Sequence, residues 1–104
     1  MAQLVVVLWR DIPAQVIVKK GRQTAKRELP LRFTEAIDRS AMRAKLTGSD
    51  AYLEQWRRAE PVEVGDDLEA EAEAAAARLD AAWPAERLRA VVANGGRDPS
   101  GEQR

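Results

Sequence analysis

The chain begins with an apolar run that alternation cannot sort into an inside and an outside. In residues 3–10 (QLVVVLWR), Val5, Val7 and Trp9 fall on one alternating face and Leu4, Val6 and Leu8 on the other. The run is too short for a helix and rich in β-branched residues, which predicts a strand. A strand apolar on both sides sits centrally, its second face covered by helices or by a partner protein. Residues 11–14 (DIPA) predict a turn, since Pro13 fixes φ and Asp11 bonds its own backbone. Residues 15–20 (QVIVKK) predict a second strand, paired antiparallel with the first, and Gly21 ends it. Residues 22–28 (RQTAKRE) are polar and basic, and read as a loop or the approach to a helix.

The period then changes. Leu29, Phe33, Ile37 and Ala41, or alternatively Ala36, Ser40 and Ala44, recur at helical spacing and predict an amphipathic helix over 30–46, with Pro30 in its first turn. Thr47-Gly48 stops it. Ser49 or Asp50 can cap a short second helix through Trp56, with Tyr52, Leu53 and Trp56 on one side. Residues 59–64 (AEPVEV) alternate weakly around Pro61 and predict an edge strand. Residues 66–83 predict an alanine-rich helix whose stripe is Leu68, Ala72, Ala75, Leu79 and Trp83. Pro84 starts a shorter helix through Ala93, and Asn94-Gly95 caps it. The order β-β-α-α-β-α-α predicts an α+β fold: a small antiparallel sheet, the N-terminal hairpin plus a third strand, packed with three to four helices. The expected organisation is one domain over 1–94 and a disordered tail over 95–104, which carries no large apolar side chain.

Composition narrows the chemistry. In 104 residues there is no His and no Cys. That removes Ser-His and Cys-His catalysis, disulfides, Cys-ligated metal centres and the commonest metal ligand. The expectation is a protein that is not an enzyme and holds no cofactor or metal. The apolar run has no basic leader before it and is far shorter than the ~20 residues of a membrane span. A cytoplasmic protein without membrane contact is expected.

Formal net charge is zero, from 17 Lys+Arg and 17 Asp+Glu. The balance is uneven along the chain. Residues 1–58 hold twelve cations and six anions, and residues 59–104 hold five and eleven. The two halves either lie against each other or face different partners.

Two clusters are candidate binding surfaces. At the hairpin tip, Trp9, Arg10, Asp11 and Gln15 put an aromatic, a guanidinium and a carboxylate together, residue types enriched in interface hot spots. The same residues also fit a structural role, with Trp9 in the core, Asp11 capping the turn and Arg10 paired with it. Beside them, Lys19, Lys20, Arg22, Lys26, Arg27 and Arg32 oppose only Glu28, and suit an acidic protein surface, another part of the chain, or solvent. Nucleic acid is a weaker alternative, given one Phe, one Tyr and no phosphate-cradling glycine loop. The acidic cluster Asp66, Asp67, Glu69, Glu71 and Glu73 matches no calcium loop and suits a helix N-terminus. Tyr52 and Trp56 meet at i, i+4, with core packing as their expected role. The expected partner is a protein, or a second copy meeting the first across the exposed face of the first strand.

The runs WRDIPAQVIV (9–18), Gly21-Arg22, Ala25-Lys26-Arg27, FTEAID (33–38) and DAYLEQWR (50–57) resemble the small bacterial virulence-factor domain family, relatives of the domain in conserved virulence factor C. The resemblance covers residues 3–93. It implies a cytosolic bacterial protein linked to a virulence or stress phenotype, without established catalytic residues. It also implies an association with corrinoid and folate methyl-transfer genes, so an accessory subunit of such a complex is the alternative function.

Overall fold

The first strand is central. In a computed structural model that describes residues 1–46, 48 and 50–98, β1 (Ala2–Trp9) pairs antiparallel with β2 (Ile12–Lys20) along one side. Its other side is shared by two short strands, β4 (Trp56–Arg58) against residues 7–9 and β5 (Val62–Val64) against residues 2–4. β3 (Gln23–Glu28) completes the five-stranded antiparallel sheet on the far edge of β2. The helices are α1 (Leu31–Arg43), α2 (Asp50–Glu54), α3 (Leu68–Ala82) and α4 (Ala85–Ala93).

The α+β class and the hairpin therefore stand, and two further strands are added. β3 was expected as a loop or the approach to a helix because its residues are polar and basic, and Ala25 is its one buried position. Its partner makes it a strand, with Val18 opposite Ala25 and Ile17 opposite Lys26. Trp56, the first residue of β4, was expected as the end of the second helix. Instead α2 stops at Glu54, and Trp56 turns back to pair with Trp9. The hairpin turn is also tighter than expected. Trp9 pairs directly with Ile12, leaving Arg10 and Asp11 as the two turn residues, Arg10 at φ 52°. Pro13 fits inside β2 because the register slips there: Leu8 faces Pro13 and Val7 faces Gln15, so Ala14 is bulged. The bulged Ala14 carbonyl accepts a bond from the Leu29 N–H (3.0 Å).

Two adjoining apolar clusters make the core. In one, Ala2, Leu4, Val16, Val18 and Ala25 of the sheet meet Ala72 and Ala75 of α3. Small residues on both sides let this helix lie close to the strands, which explains an alanine-rich stripe. In the other, Trp9 and Ile12 meet Phe33, Ile37 and Ala41 of α1, Leu88 and Val91 of α4, and Trp83. Ala76 and Leu79 touch both clusters. Val5 and Ile17, on the opposite sheet face by alternation, belong to neither, yet are only 8 % and 4 % exposed. The register sets Lys26 beside Ile17, and Gln3, Gln15 and Lys19 share that face. Long polar side chains shield such apolar centres with their stems. The second face of β1 thus needs neither a helix nor a partner for its burial.

The charge halves meet. Lys20 pairs with Asp66 (3.4 Å), Arg27 with Glu69 (2.6 Å) and Arg32 with Asp80 (2.6 Å), which seats the acidic helix on the basic half. All three are solvent-exposed, so each is worth less than about 1 kcal/mol and orients α3 more than it holds it. Asp67 caps α3 by accepting from the Ala70 N–H (3.2 Å), and Glu71 accepts from the Gly65 N–H (3.2 Å). Asp66, Asp67, Glu69 and Glu71 are thus engaged at the start of the helix, and no group of three or more metal-ligating side chains converges among the described residues.

One core position works against the fold. Ser40 of α1 is fully buried, and its hydroxyl has no hydrogen-bond partner among the described residues. Ser40→Ala is expected to stabilise the protein by about 1 kcal/mol, by removing an unsatisfied buried oxygen and adding a better helix former. A chemical denaturation midpoint that falls instead would show that the hydroxyl is satisfied.

Residues 95–98, expected as the start of the tail, contact the hairpin tip. The Gly95 and Gly96 carbonyls and the Asp98 N–H are hydrogen-bonded to the hairpin tip, and Asp98 is buried. The remainder of that expectation, from residue 99 on, lies outside the described residues, as do Thr47 and Ser49.

Candidate functional site

Two polar constellations stand out, and they differ in what remains free. The first is the hairpin tip. Trp9 is fully buried, and its Nε1 donates to the Tyr52 carbonyl (2.9 Å) with the two rings 5.5 Å apart. Trp9 therefore leaves the set of surface contacts: its area is spent on the core. Trp56, 37 % exposed, closes the aromatic row edge-on to Tyr52. Arg10 lies over the Trp9 ring and donates from Nε to Gln55 Oε1 (3.0 Å) and from Nη1 to the Gly95 carbonyl (2.7 Å). Burial pushes its pKa down, Arg97 adds to that, and Asp11 opposes it. Asp11 accepts from the Asp98 N–H at Oδ2 (2.7 Å) and from Arg57 at Oδ1 (3.4 Å), while its own N–H donates to the Gly96 carbonyl (3.0 Å).

The tip is thus a clasp. Arg10 and Asp11 bind the β1–β2 turn to the α2–β4 joint and to residues 95–98. Asp98 is fixed in turn by Arg87 (2.7 Å), whose guanidinium lies 3.7 Å from the Trp83 ring centre. Both carboxylate oxygens of Asp11 accept hydrogen bonds within the chain, so the motif closes the fold.

The basic segment is divided by strand alternation. Lys20 and Arg27 point to the helix side and are held by α3. Lys19 and Lys26 share the other face, Arg22 sits in the β2–β3 turn, and Arg58 joins them opposite Val7. Lys19, Arg22, Lys26 and Arg58 are exposed and make no side-chain hydrogen bond or ion pair among the described residues. Gln15 is half-buried beside them. Of the nine residues expected to bind a partner, Lys19, Arg22, Lys26 and Gln15 remain available.

The second constellation is a groove of about 370 Å³ between α1 and α4. Ala36, Leu88 and Val92 line its apolar side. Arg32, Arg39 and Arg43 of α1 and Arg89 of α4 line its polar side, against Glu35 alone. The expected helix over 30–46 contained this feature without its being read: arginines at 32, 39 and 43 recur at i, i+7, i+11 on one helical face.

A five-stranded antiparallel sheet packed with four helices, a locked turn and a separate cationic groove defines a small α+β domain with solvent-accessible basic surfaces. Residues 7–92 match the family described as virulence factor, and the chain belongs to that family. Membership ties it to a virulence-related role. No curated protein and no solved structure is matched. No helix among the described residues is long and apolar enough to cross a membrane.

Proposed function

We propose that the domain is a non-catalytic interaction module of the cytoplasm whose open sheet face receives an acidic surface of another protein. One observation carries this reading: alternation along β2 and β3 satisfies Lys20 and Arg27 within the chain and leaves Lys19 and Lys26 exposed and without partners among the described residues on the other face. Arg22 and Arg58 flank them, with Gln15 as an uncharged donor and acceptor. Nucleic acid is less supported, because two of the cations it would use are already paired. A second copy of the chain is also less supported, because Val5 and Ile17 expose little apolar surface for a dimer to bury. No residue geometry favours an accessory role in methyl transfer over this one.

Affinity capture with the tagged full chain from cells that carry the gene tests the proposal, followed by titration of the captured protein. The expected partner binds through an acidic surface, with affinity falling as salt rises. Lys19→Glu combined with Lys26→Glu is expected to weaken it at least tenfold by reversing two charges. Equal binding by the double variant, or capture of nothing, would overturn the proposal.

A further inference from the structure

The geometry points to a binding site for a small amphipathic anion, an oxyanion head on a short apolar body, in the groove between α1 and α4. The inference does not depend on the sheet face.

The four arginines of the groove fall into two pairs. The outer pair holds the ends. Arg43 Nε donates to the Ala93 carbonyl at the end of α4 (3.1 Å). Arg32 Nη2 donates to Asp80 Oδ1 (2.6 Å) and to the carbonyls of Asp80 and Trp83 (2.9 Å each), at the end of α3. The first bond ties α1 to the end of α4, and the others tie α1 to the end of α3. The inner pair, Arg39 from α1 and Arg89 from α4, makes no hydrogen bond or ion pair among the described residues. Glu35, the single carboxylate of the lining, pairs with neither. Each helix thus contributes one guanidinium to the groove without a partner among the described residues, and each offers parallel N–H donors that match a carboxylate or phosphate.

The apolar side decides the rest of the ligand. Ala36, Leu88 and Val92 lie within the same groove. A bare inorganic ion would leave them in contact with water. A short hydrocarbon body attached to the oxyanion would cover them. The volume is at the lower end of the roughly 300–1,000 Å³ usual for small-molecule sites, which suits a compact ligand.

Calorimetric titration of the full chain with hexyl phosphate, hexanoate, hexanol and inorganic phosphate tests this. Hexyl phosphate or hexanoate is expected to bind saturably at one site, and whichever binds more tightly identifies the head group. Hexanol and inorganic phosphate, each carrying half of the ligand, are expected to bind at least tenfold more weakly. Arg39→Gln with Arg89→Gln is expected to weaken binding at least tenfold without lowering the thermal midpoint, since neither side chain supports the fold. Lys19→Glu with Lys26→Glu is expected to leave it unchanged, which separates this site from the sheet face. Three results would each overturn the inference: no saturable binding of either amphipathic anion, equal binding of inorganic phosphate, or full affinity in the double arginine variant.

Discussion

Trp9→Ala is expected to destabilise the protein by about 4 kcal/mol. The side chain is fully buried and joins the β1–β2 turn to α1, α4 and Trp83 in one cluster. Truncation to alanine removes the indole and leaves a cavity that the surrounding strands and helices cannot fill, because the hairpin fixes them on both sides. Two further losses follow. The Tyr52 carbonyl loses its donor, and Arg10 loses the ring beneath it. A domain of this size is stable by only ~5–15 kcal/mol, so the variant would be partly unfolded at modest temperature. Denaturant unfolding followed by circular dichroism measures the loss. Trp9→Phe separates the terms: it keeps most of the packing and removes the Nε1 donor, and should cost less than half as much. A loss below about 1 kcal/mol in Trp9→Ala would mean that the ring is not part of the core.

Gly96→Ala is expected to cost about 3 kcal/mol, although it adds one methyl group near the end of the described chain. Gly96 has φ 96°, where a side chain is strained whatever the space around it. A Cβ placed there would lie 2.8 Å from Trp9 Cζ3 and 3.3 Å from Arg10 Cδ. The indole cannot retreat, because it is buried on its other side. The backbone must therefore move, and the bond from the Asp11 N–H to the Gly96 carbonyl moves with it. Gly21→Ala is the matched control. Gly21 has φ 60° in the β2–β3 turn with nothing within 4 Å of a new Cβ, so only the conformational cost of about 1–2 kcal/mol applies. Equal effects at the two positions, measured by thermal unfolding, would show that the contact with Trp9 contributes nothing.

The parts of the fold legible in the sequence are those whose own residues carry the signal. β1 and β2 were marked by β-branched runs, α1 by helical spacing, and α3 by its alanines and its acidic start. The central place of β1 followed from its two apolar faces. β3 was hidden because a strand of Gln, Thr, Lys, Arg and Glu has no alternation of its own. It exists because β2 offers an edge and because Arg27 reaches Glu69. β4 was hidden because Trp56, Arg57 and Arg58 are exposed, and only pairing with residues 7–9 makes them a strand.

The site divides in the same way. The run from Trp9 to Gln15 was legible as a cluster of mixed chemistry, but the bonds that Arg10 and Asp11 make within the chain depend on residues 95–98, more than eighty positions away. The one local sign was a pair of glycines after a helix. The charge split was legible, and its resolution within the chain was not, because strand alternation sends Lys19 and Lys20 to opposite faces. The arginines of α1 were spaced on one face, but Arg89 joins them only through the packing of α4.

The clasp has a consequence for how the protein is made. The turn at Arg10 and Asp11 is synthesised before its partners Gly95 and Asp98, which lie 85 and 87 positions later. A chain emerging from the ribosome can form the hairpin early, but must carry Trp9 unsheltered until nearly all of the described residues have been translated. Contacts of such long sequence separation form late and slowly. A stop codon before residue 95 would remove Gly95 and Asp98 and leave the turn at Arg10 and Asp11 without these partners.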